Sequence, residues 1–429
     1  MGTPGFPDHR PGEKGQAPER QVIIIPRKLM YLTVTAPLGR PEAFLIPEMN
    51  CLAERGVELT VIPVRPAGRL EHRDGDGPFL STIVSGPWSL AVWRSALSWS
   101  LKAPLRVAGL LCLLLKGGSL ANKVKNLLLL PKGMFIAEKV QSLGINHIHA
   151  HWASTPSTCA LVASVLTGVG WSFTAHRWDI KNNNLLPEKV SRCSFVRVVS
   201  SHGLKQVTKI AGRESGIRVI LSPLGVEVNP EFPEKSSLGG SKPIIGAVGS
   251  LTAVKGHRYL LQACRLLADR GVNFRCLIVG DGPERGSLLR LADRLKLGGV
   301  VFFVGALTHD RVLRLLRSGI LSLLVHPSVE TPSDEHEGVP VAVMEAMAGG
   351  VPVIVTKTGS VPDLVDRDTG VIVPPENPAA LARAIRSLLS DPDRSRSLAK
   401  AAHRRIRERF ELNTNVNVLL DMMDMDTMP

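Results

Sequence analysis

Two glutamates frame the run Glu337-Gly338-Val339-Pro340-Val341-Ala342-Val343-Met344-Glu345. Pro340 suits the first position of a helix, where no backbone donor is needed. Gly338 ahead of it lets a ligand approach the backbone closely. The free N–H groups of such a helix start form an anion site, suited to a diphosphate. Glu345 falls among Val341, Val343, Met344 and Met347. A carboxylate in apolar company needs a hydrogen-bonding partner, and a ribose diol offers two donors. Glu337 stands just outside the helix, in the loop that would face the rest of the ligand. Taken singly, both acids would read as solvated residues. The coincidence of loop, glycine, proline and apolar helix is what points to a nucleotide site.

The elements that must position this run alternate strand and helix. In the C-terminal half, strands are expected at 243–248, 274–279, 300–303, 321–325 and 352–356, and helices at 258–270, 284–295, 311–318 and 340–347. In the N-terminal half, strands are expected at 21–25, 57–64, 147–151, 172–175, 196–200 and 217–221, with an apolar run at 32–35. A helix is expected over 42–55, kinked or delayed by Pro47 and stopped by Gly56. The polar, Pro/Gly-rich stretch 229–242 reads as the boundary between the halves. This is an α/β chain of two doubly wound Rossmann-like domains facing a central cleft, with ligands expected at the carboxyl ends of the strands.

In that context the run Glu337 to Glu345 resembles the E-x7-E motif of the retaining, nucleotide-sugar-dependent glycosyltransferases of family 4, which have the GT-B fold. Further motifs carry the resemblance: Gly249-Ser250-Leu251 through Lys255-Gly256, Val279-Gly280-Asp281-Gly282-Pro283, Phe303-Val304-Gly305, His326-Pro327-Ser328 and Pro352-Val353-Ile354. Pro41-Glu42-Ala43-Phe44, His149-Ala150-His151-Trp152 and Phe173 through Ile180 resemble the branch that builds bacterial exopolysaccharides and surface glycans.

The resemblance implies roles. Glu345 is expected on the nucleotide ribose, Glu337 on the donor sugar, and Lys255 on the donor diphosphate as a flexible point charge. Gly338, Val339 and Pro340 are expected to form the donor-binding helix start, and Gly39 a loop near the diphosphate. His176, at the end of an apolar strand, is expected near the transferred sugar; alone it would read as a hydrogen-bonded core histidine. Lys255 alone would read as a solvated loop lysine. The family usually has an arginine where this chain has Ser250, which removes charge from the leaving diphosphate. Arg40, beside Gly39, is the cation expected to take its place; a slow enzyme and an inactive nucleotide-binding scaffold are the other readings of Ser250. His149 and His151 have metal-like spacing on one face of a strand, but no third ligand is evident. They are read as structural, and neither metal nor other cofactor is expected beyond the nucleotide sugar as co-substrate.

Charge is the remaining signal. The 429 residues carry a formal net charge of +14, with 52 Lys and Arg. Between 86 and 139, eight Lys and Arg stand against Glu138 alone, beside Trp88, Trp93, Trp99 and long leucine runs. That amphipathic, basic stretch suits an anionic membrane surface, and its place in the acceptor-side domain suits a lipid-linked saccharide acceptor. A second basic window covers 394–409; residues 394–429 are expected as a C-terminal helix packing back across the domains. Nucleic acid is not expected as a partner, since aromatics are 4% and no recognition motif is present. The E-x7-E run argues against a nucleotide-sugar epimerase. Six scattered cysteines suit a reducing compartment. Residues 1–20 read as a disordered tail rather than a signal peptide. Domains are therefore expected at 21–228 and 243–393, in a cytoplasmic protein peripheral to the inner face of the cell membrane.

Overall fold

The computed structural model describes residues 28–68, 80–212, 216–233, 242–331 and 337–424. The expected tail 1–20 and strand 21–25 lie outside the described residues, as do most of the stretch 229–242 and part of the loop before Glu337.

The chain builds two parallel sheets. The first half runs β1 (Lys28–Thr33), α1 (Ile46–Glu54), β2 (Glu58–Pro63), β3 (Leu80–Thr82), α2 (Leu90–Lys102), α3 (Pro104–Leu114), α4 (Leu120–Leu143), β4 (His147–His151), α5 (Thr155–Thr167), β5 (Gly170–Ala175), α6 (Arg177–Asn182), α7 (Leu186–Val190), β6 (Phe195–Val198), α8 (Ser201–Ala211) and β7 (Arg218–Leu221). The second runs β8 (Ile244–Val248), α9 (His257–Asp269), β9 (Arg275–Val279), α10 (Arg285–Arg294), β10 (Val301–Gly305), α11 (His309–Arg317), β11 (Leu323–His326), α12 (Val341–Ala348), β12 (Val353–Thr356), α13 (Val361–Leu364), β13 (Val371–Val373), α14 (Pro378–Ser390), α15 (Pro392–Arg409) and α16 (Leu412–Asp424).

Strand order is β3-β2-β1-β4-β5-β6-β7 in one sheet and β10-β9-β8-β11-β12-β13 in the other. Both orders reverse at the first strand of their domain, between β1 and β4 and between β8 and β11. Those switch points are where a parallel sheet opens a crevice at its carboxyl edge. The central strands are buried from end to end, as a sheet covered on both faces requires.

Three local outcomes differ from the sequence expectation. Pro47 does not kink a long helix: Arg40–Leu45 forms a 3-10 segment, and Pro47 sits in the first turn of α1, where its missing N–H costs nothing. Pro340 is the residue before the first turn of α12 rather than its first helical residue. The C-terminal segment is two helices, not one. The chain turns at Phe410–Leu412, where Val226 N–H donates to the Phe410 carbonyl (2.8 Å) and Leu412 N–H to the Val226 carbonyl (3.1 Å). Helix α16 then packs on α1, with Arg55 Nε donating to Asn417 Oδ1 (2.9 Å) and Nη2 to Asn413 Oδ1 (2.8 Å). The crossing-back is made by α16, while α15 stays against α12 and α14.

The halves also meet directly. Asp363 of α13 accepts from the backbone N–H (3.0 Å) and hydroxyl (2.7 Å) of Ser201, at the start of α8. A carboxylate there satisfies an orphan donor and faces the positive end of the helix. Asp363→Ala is expected to lower stability by about 1 kcal/mol, read as a reduced denaturant midpoint.

Candidate active site

The loops leaving β1, β4, β5, β8 and β11 converge on a cavity of about 370 Å³ between the domains. Phe44, Trp152, His176 and Ser200 line it from the first half; Gly249, Lys255, His326, Glu337, Gly338, Val339 and Pro340 line it from the second.

On the C-terminal side, Lys255 and Glu337 are paired. Lys255 Nζ donates to Glu337 Oε2 at 2.6 Å, and His326 Nε2, at the end of β11, lies 3.1 Å from the same oxygen. The turn holding Lys255 depends on Gly256, whose φ is +63° and whose Cβ would lie 2.0 Å from the Pro327 carbonyl oxygen; only glycine fits. Burial alone would raise the Glu337 carboxyl, but the Lys255 charge and the His326 contact outweigh it and hold the acid well below the usual carboxylate range. Glu337 is therefore an anion throughout the neutral range. Gly338 follows, and a Cβ built on it meets no atom of the described residues within 4 Å. Gly338→Ala is thus expected to leave stability within about 0.5 kcal/mol of the parent while intruding on the ligand space. Thermal unfolding with and without nucleotide separates the two effects.

Glu345 is buried one turn into α12, and His309 Nε2 sits 2.5 Å from its Oε1. Burial works against the imidazolium, but the hydrogen bond to Glu345 and its charge prevail and raise the His309 pKa. The stability this pair adds is full below the ordinary histidine pKa and is lost as pH rises through the raised folded value. His309→Gln should flatten that part of the stability–pH profile between about pH 6 and 8.

On the N-terminal side, a buried chain of hydrogen bonds leads to His176. Arg197 Nη1 donates to Glu48 Oε2 (2.6 Å), and Tyr31 Oη donates to Glu48 Oε1 (2.7 Å). Tyr31 Oη is 3.0 Å from His151 Nδ1, and His151 Nε2 is 2.8 Å from His176 Nε2. The carboxylate only accepts, so Tyr31 donates to it and must accept from His151 Nδ1–H. His151 Nε2 then carries the lone pair, and His176 donates its Nε2–H to it. Burial, reinforced for both rings by the nearby positive charge of Arg197, lowers both histidines, His176 to about 3. His176 is neutral and in one tautomer. It also begins α6 in a capping box with Asp179, whose Oδ2 accepts from the His176 N–H (3.3 Å). Trp152 packs on the imidazole with centroids 4.2 Å apart. The arrangement presents the ring as a fixed wall of the cleft rather than a base awaiting a proton.

The structure thus brings Glu337, Lys255, His176, Gly338, Val339 and Pro340 to one cavity. Glu345 lies behind it on α12. Gly39 and Ser250 do not line it; Ser250 is exposed, its hydroxyl 3.4 Å from that of Thr252. The side chain of Arg40 lies outside the described residues. His149 is engaged by Ser172 and Thr174 hydroxyls (2.8 and 2.9 Å) and His151 by Tyr31 and His176; among the described residues no cluster of potential metal ligands forms. Sequence reasoning did not single out a role for His309, His326, Glu42 or Arg197. Glu42 ties the turn after β1 together: its carboxylate accepts from the N–H groups of Val34 (3.1 Å), Thr35 and Ala36 (2.9 Å), and from Trp152 Nε1 (2.6 Å).

Comparison with known proteins bears on the same half of the cleft. Residues 228–405 match the family model described as Glycosyl transferases group 1. The chain carries a glycosyltransferase group 1 domain. It is 33% identical over 195 residues to the putative colanic acid biosynthesis glycosyltransferase WcaL of Escherichia coli (strain K12), covering 45% of this chain and 48% of that one. The match thus spans about half the length of that relative. Similarity to the amylovoran biosynthesis glycosyltransferase AmsK of Erwinia amylovora is lower, 26%, but covers 85% of this chain and 90% of that protein. Among solved structures, the sucrose-phosphate synthase of Thermosynechococcus elongatus superposes with a TM-score of 0.69 at 18% identity, over 93% of this chain and 98% of that one. Anabaena Alr3699/HepE in complex with UDP superposes with a TM-score of 0.66 at 18% identity, over 93% and 100%. The two parallel-sheet domains are those of the GT-B fold.

Proposed function

We propose that the protein transfers a sugar from a nucleoside diphosphate to a lipid-linked saccharide in exopolysaccharide or surface-glycan synthesis, with retention at the sugar carbon and without a metal ion. The observation that carries this reading is the Lys255–Glu337 pair at the start of α12, with Glu345 one turn behind it. A diphosphate at the helix start would meet free N–H groups and the ammonium of Lys255, whose three protons let it bond to Glu337 and a phosphate oxygen together. Glu337, fixed as an anion, accepts from donor-sugar hydroxyls. Glu345 accepts from the ribose, sharing its second oxygen while His309 holds the first. Charge developing on the leaving diphosphate is then stabilised by groups already in place. The polymer-building names of two relatives and the UDP complex of a structural neighbour support the substrate class.

The membrane side of the reading rests on the helical layer. Leu90, Trp93, Leu97 and Leu101 form an exposed stripe on α2, although its other face is already buried through Val92, Ala96 and Trp99. A helix apolar on both faces is not complete in water alone. No single described helix is long and apolar enough to cross a membrane; α2 and α3 reach that length only together, bent by 114°. The layer suits lying on an anionic surface. Lys132 is excepted: it is buried, donates to the Ser85 carbonyl (2.7 Å), and burial lowers it to about 8.

Thermal unfolding with UDP, GDP, ADP and dTDP, beside Glu345→Ala, tests the donor site. A ligand at about 100 times its dissociation constant should add about 2.7 kcal/mol, and the mutant should lose it. No shift with any of the four nucleotides would remove the donor-site reading, and the nucleotide-binding scaffold with it.

A further inference from the structure

Beside the cleft, the first domain carries a second and larger cavity, a groove of about 830 Å³. Its wall is one stripe of α4, Leu120, Val124 and Leu128, spaced to lie on one helix face, and Trp88 closes the other side. All four side chains are about half exposed or more, and Trp88 stacks one face on Trp93 of α2 (centroids 6.2 Å apart). At the groove stand two cations, Arg65 and Lys125. Neither forms an ion pair with a carboxylate among the described residues. Lys125 is half-buried, and its pKa is lowered, first by burial and then by Arg65, with the Asp179 carboxylate offsetting only part of the shift. Two like charges held beside an apolar wall are costly without an anion.

The groove opens on the same rim as the active-site cavity. Arg65 directly follows β2, and its N–H donates to the Val34 carbonyl (2.9 Å) in the turn after β1. That turn is the one gathered by Glu42, which also holds Trp152, and Trp152 packs on His176. A molecule with its head at Arg65 and Lys125 therefore has its tail on the helical layer and its head one loop from the cleft.

We propose that this groove is the acceptor-lipid subsite: one hydrocarbon chain lies on Trp88, Val124 and Leu128, and the phosphate linkage that joins it to the saccharide is held by Lys125 and Arg65. A single chain on a diphosphate linkage is favoured over a diacyl phosphodiester because two cations match two negative charges, and one helix stripe offers room for one chain. The assignment rests on the lipid-linked-acceptor reading above and gives it a location.

The test uses the full-length protein and dodecyl phosphate as probe, measured by calorimetry, with dodecanol and inorganic phosphate as half-probes. Dodecyl phosphate should bind at least tenfold more tightly than either half-probe. Arg65→Ala/Lys125→Ala and, separately, Leu128→Glu should each weaken it at least tenfold. All of these side chains are at least partly exposed, so melting temperatures should stay near the parent value. Flotation with phosphatidylcholine vesicles containing phosphatidylglycerol is the second arm. Leu97→Glu/Leu101→Glu should abolish flotation yet leave dodecyl phosphate binding intact, and the groove variants should do the reverse. Equal binding of dodecyl phosphate by parent and both groove variants would overturn the subsite. So would groove variants that lose vesicle binding and dodecyl phosphate binding in parallel, which would make the groove part of a general lipid face. Failure of the donor reading appears elsewhere, as absent nucleotide shifts, and leaves the groove result interpretable.

Discussion

Lys255→Ala is expected to lower the rate of sugar transfer by about 10²–10³-fold, a loss of about 3–4 kcal/mol of transition-state stabilisation. Among the described residues, Lys255 is the lysine or arginine that the second domain delivers to the cavity, on a turn fixed by Gly256, and the position where the resemblance led to the expectation of an arginine is the exposed Ser250. The leaving diphosphate thus depends on Lys255 and on the start of α12. Lys255→Arg should recover only part of the loss, because a planar guanidinium cannot reproduce the short point contact to Glu337. The variant also carries a stability signature. In the parent, Glu337 is held well below its ordinary value, so the stability it adds is present above that value and is lost only as pH falls through the depressed one. Without Lys255 the depression shrinks, and acid unfolding should begin at higher pH. Initial rates with the nucleotide sugar identified by thermal shift, together with unfolding between about pH 3 and 7, measure both effects. Full activity in Lys255→Ala would remove Lys255 from the mechanism and with it the assignment of this end of the cleft.

Much of this site could be read before the fold was known, because its signals are local. Pro340, Gly338 and the two glutamates lie within one loop and helix, and strands such as Ile244–Val248 are continuous apolar or small-residue runs between turn signals. What could not be read is partnership across the chain. Glu345 was expected to await a ribose, yet His309, from the neighbouring α11, already occupies one of its oxygens. Glu337 was expected as a loop acid facing sugar, yet Lys255 reaches it from the turn after β8 and His326 from the end of β11. No spacing in the sequence encodes those approaches; they follow from the order in which β8 and β11 lie side by side. The short strands β3 and β13 offered too few residues for a periodic signal. The turn at Phe410 is fixed by backbone bonds to the distant Val226, which the basic pattern of α15 does not reveal.

The largest stability effect is expected far from the ligand, in the pair Arg197–Glu48. Both side chains are almost wholly buried, and Arg197 also donates to the carbonyls of Ser222 (2.9 Å) and Pro223 (2.8 Å). Glu48→Ala leaves a buried guanidinium without its counter-ion, which costs about 3–5 kcal/mol, and removes the acceptor that orients Tyr31. Denaturant unfolding should show the midpoint fall accordingly. Tyr31→Phe separates stability from function. It should cost about 1–3 kcal/mol by leaving Glu48 and His151 each short of a partner, and it frees His151 Nδ1 from the bond that sets its tautomer. His176 then loses its obligatory acceptor. The parent rate should show no limb near pH 6.5, since His176 stays neutral down to about 3; in Tyr31→Phe the turnover number should fall while the Michaelis constant for donor holds. A variant that loses stability but keeps the parent's turnover and pH profile would mean the relay only supports the core. A fall in turnover confined to Tyr31→Phe and Glu48→Ala, with donor binding intact, would mean the buried chain sets the geometry of the cleft wall on which the sugar rests.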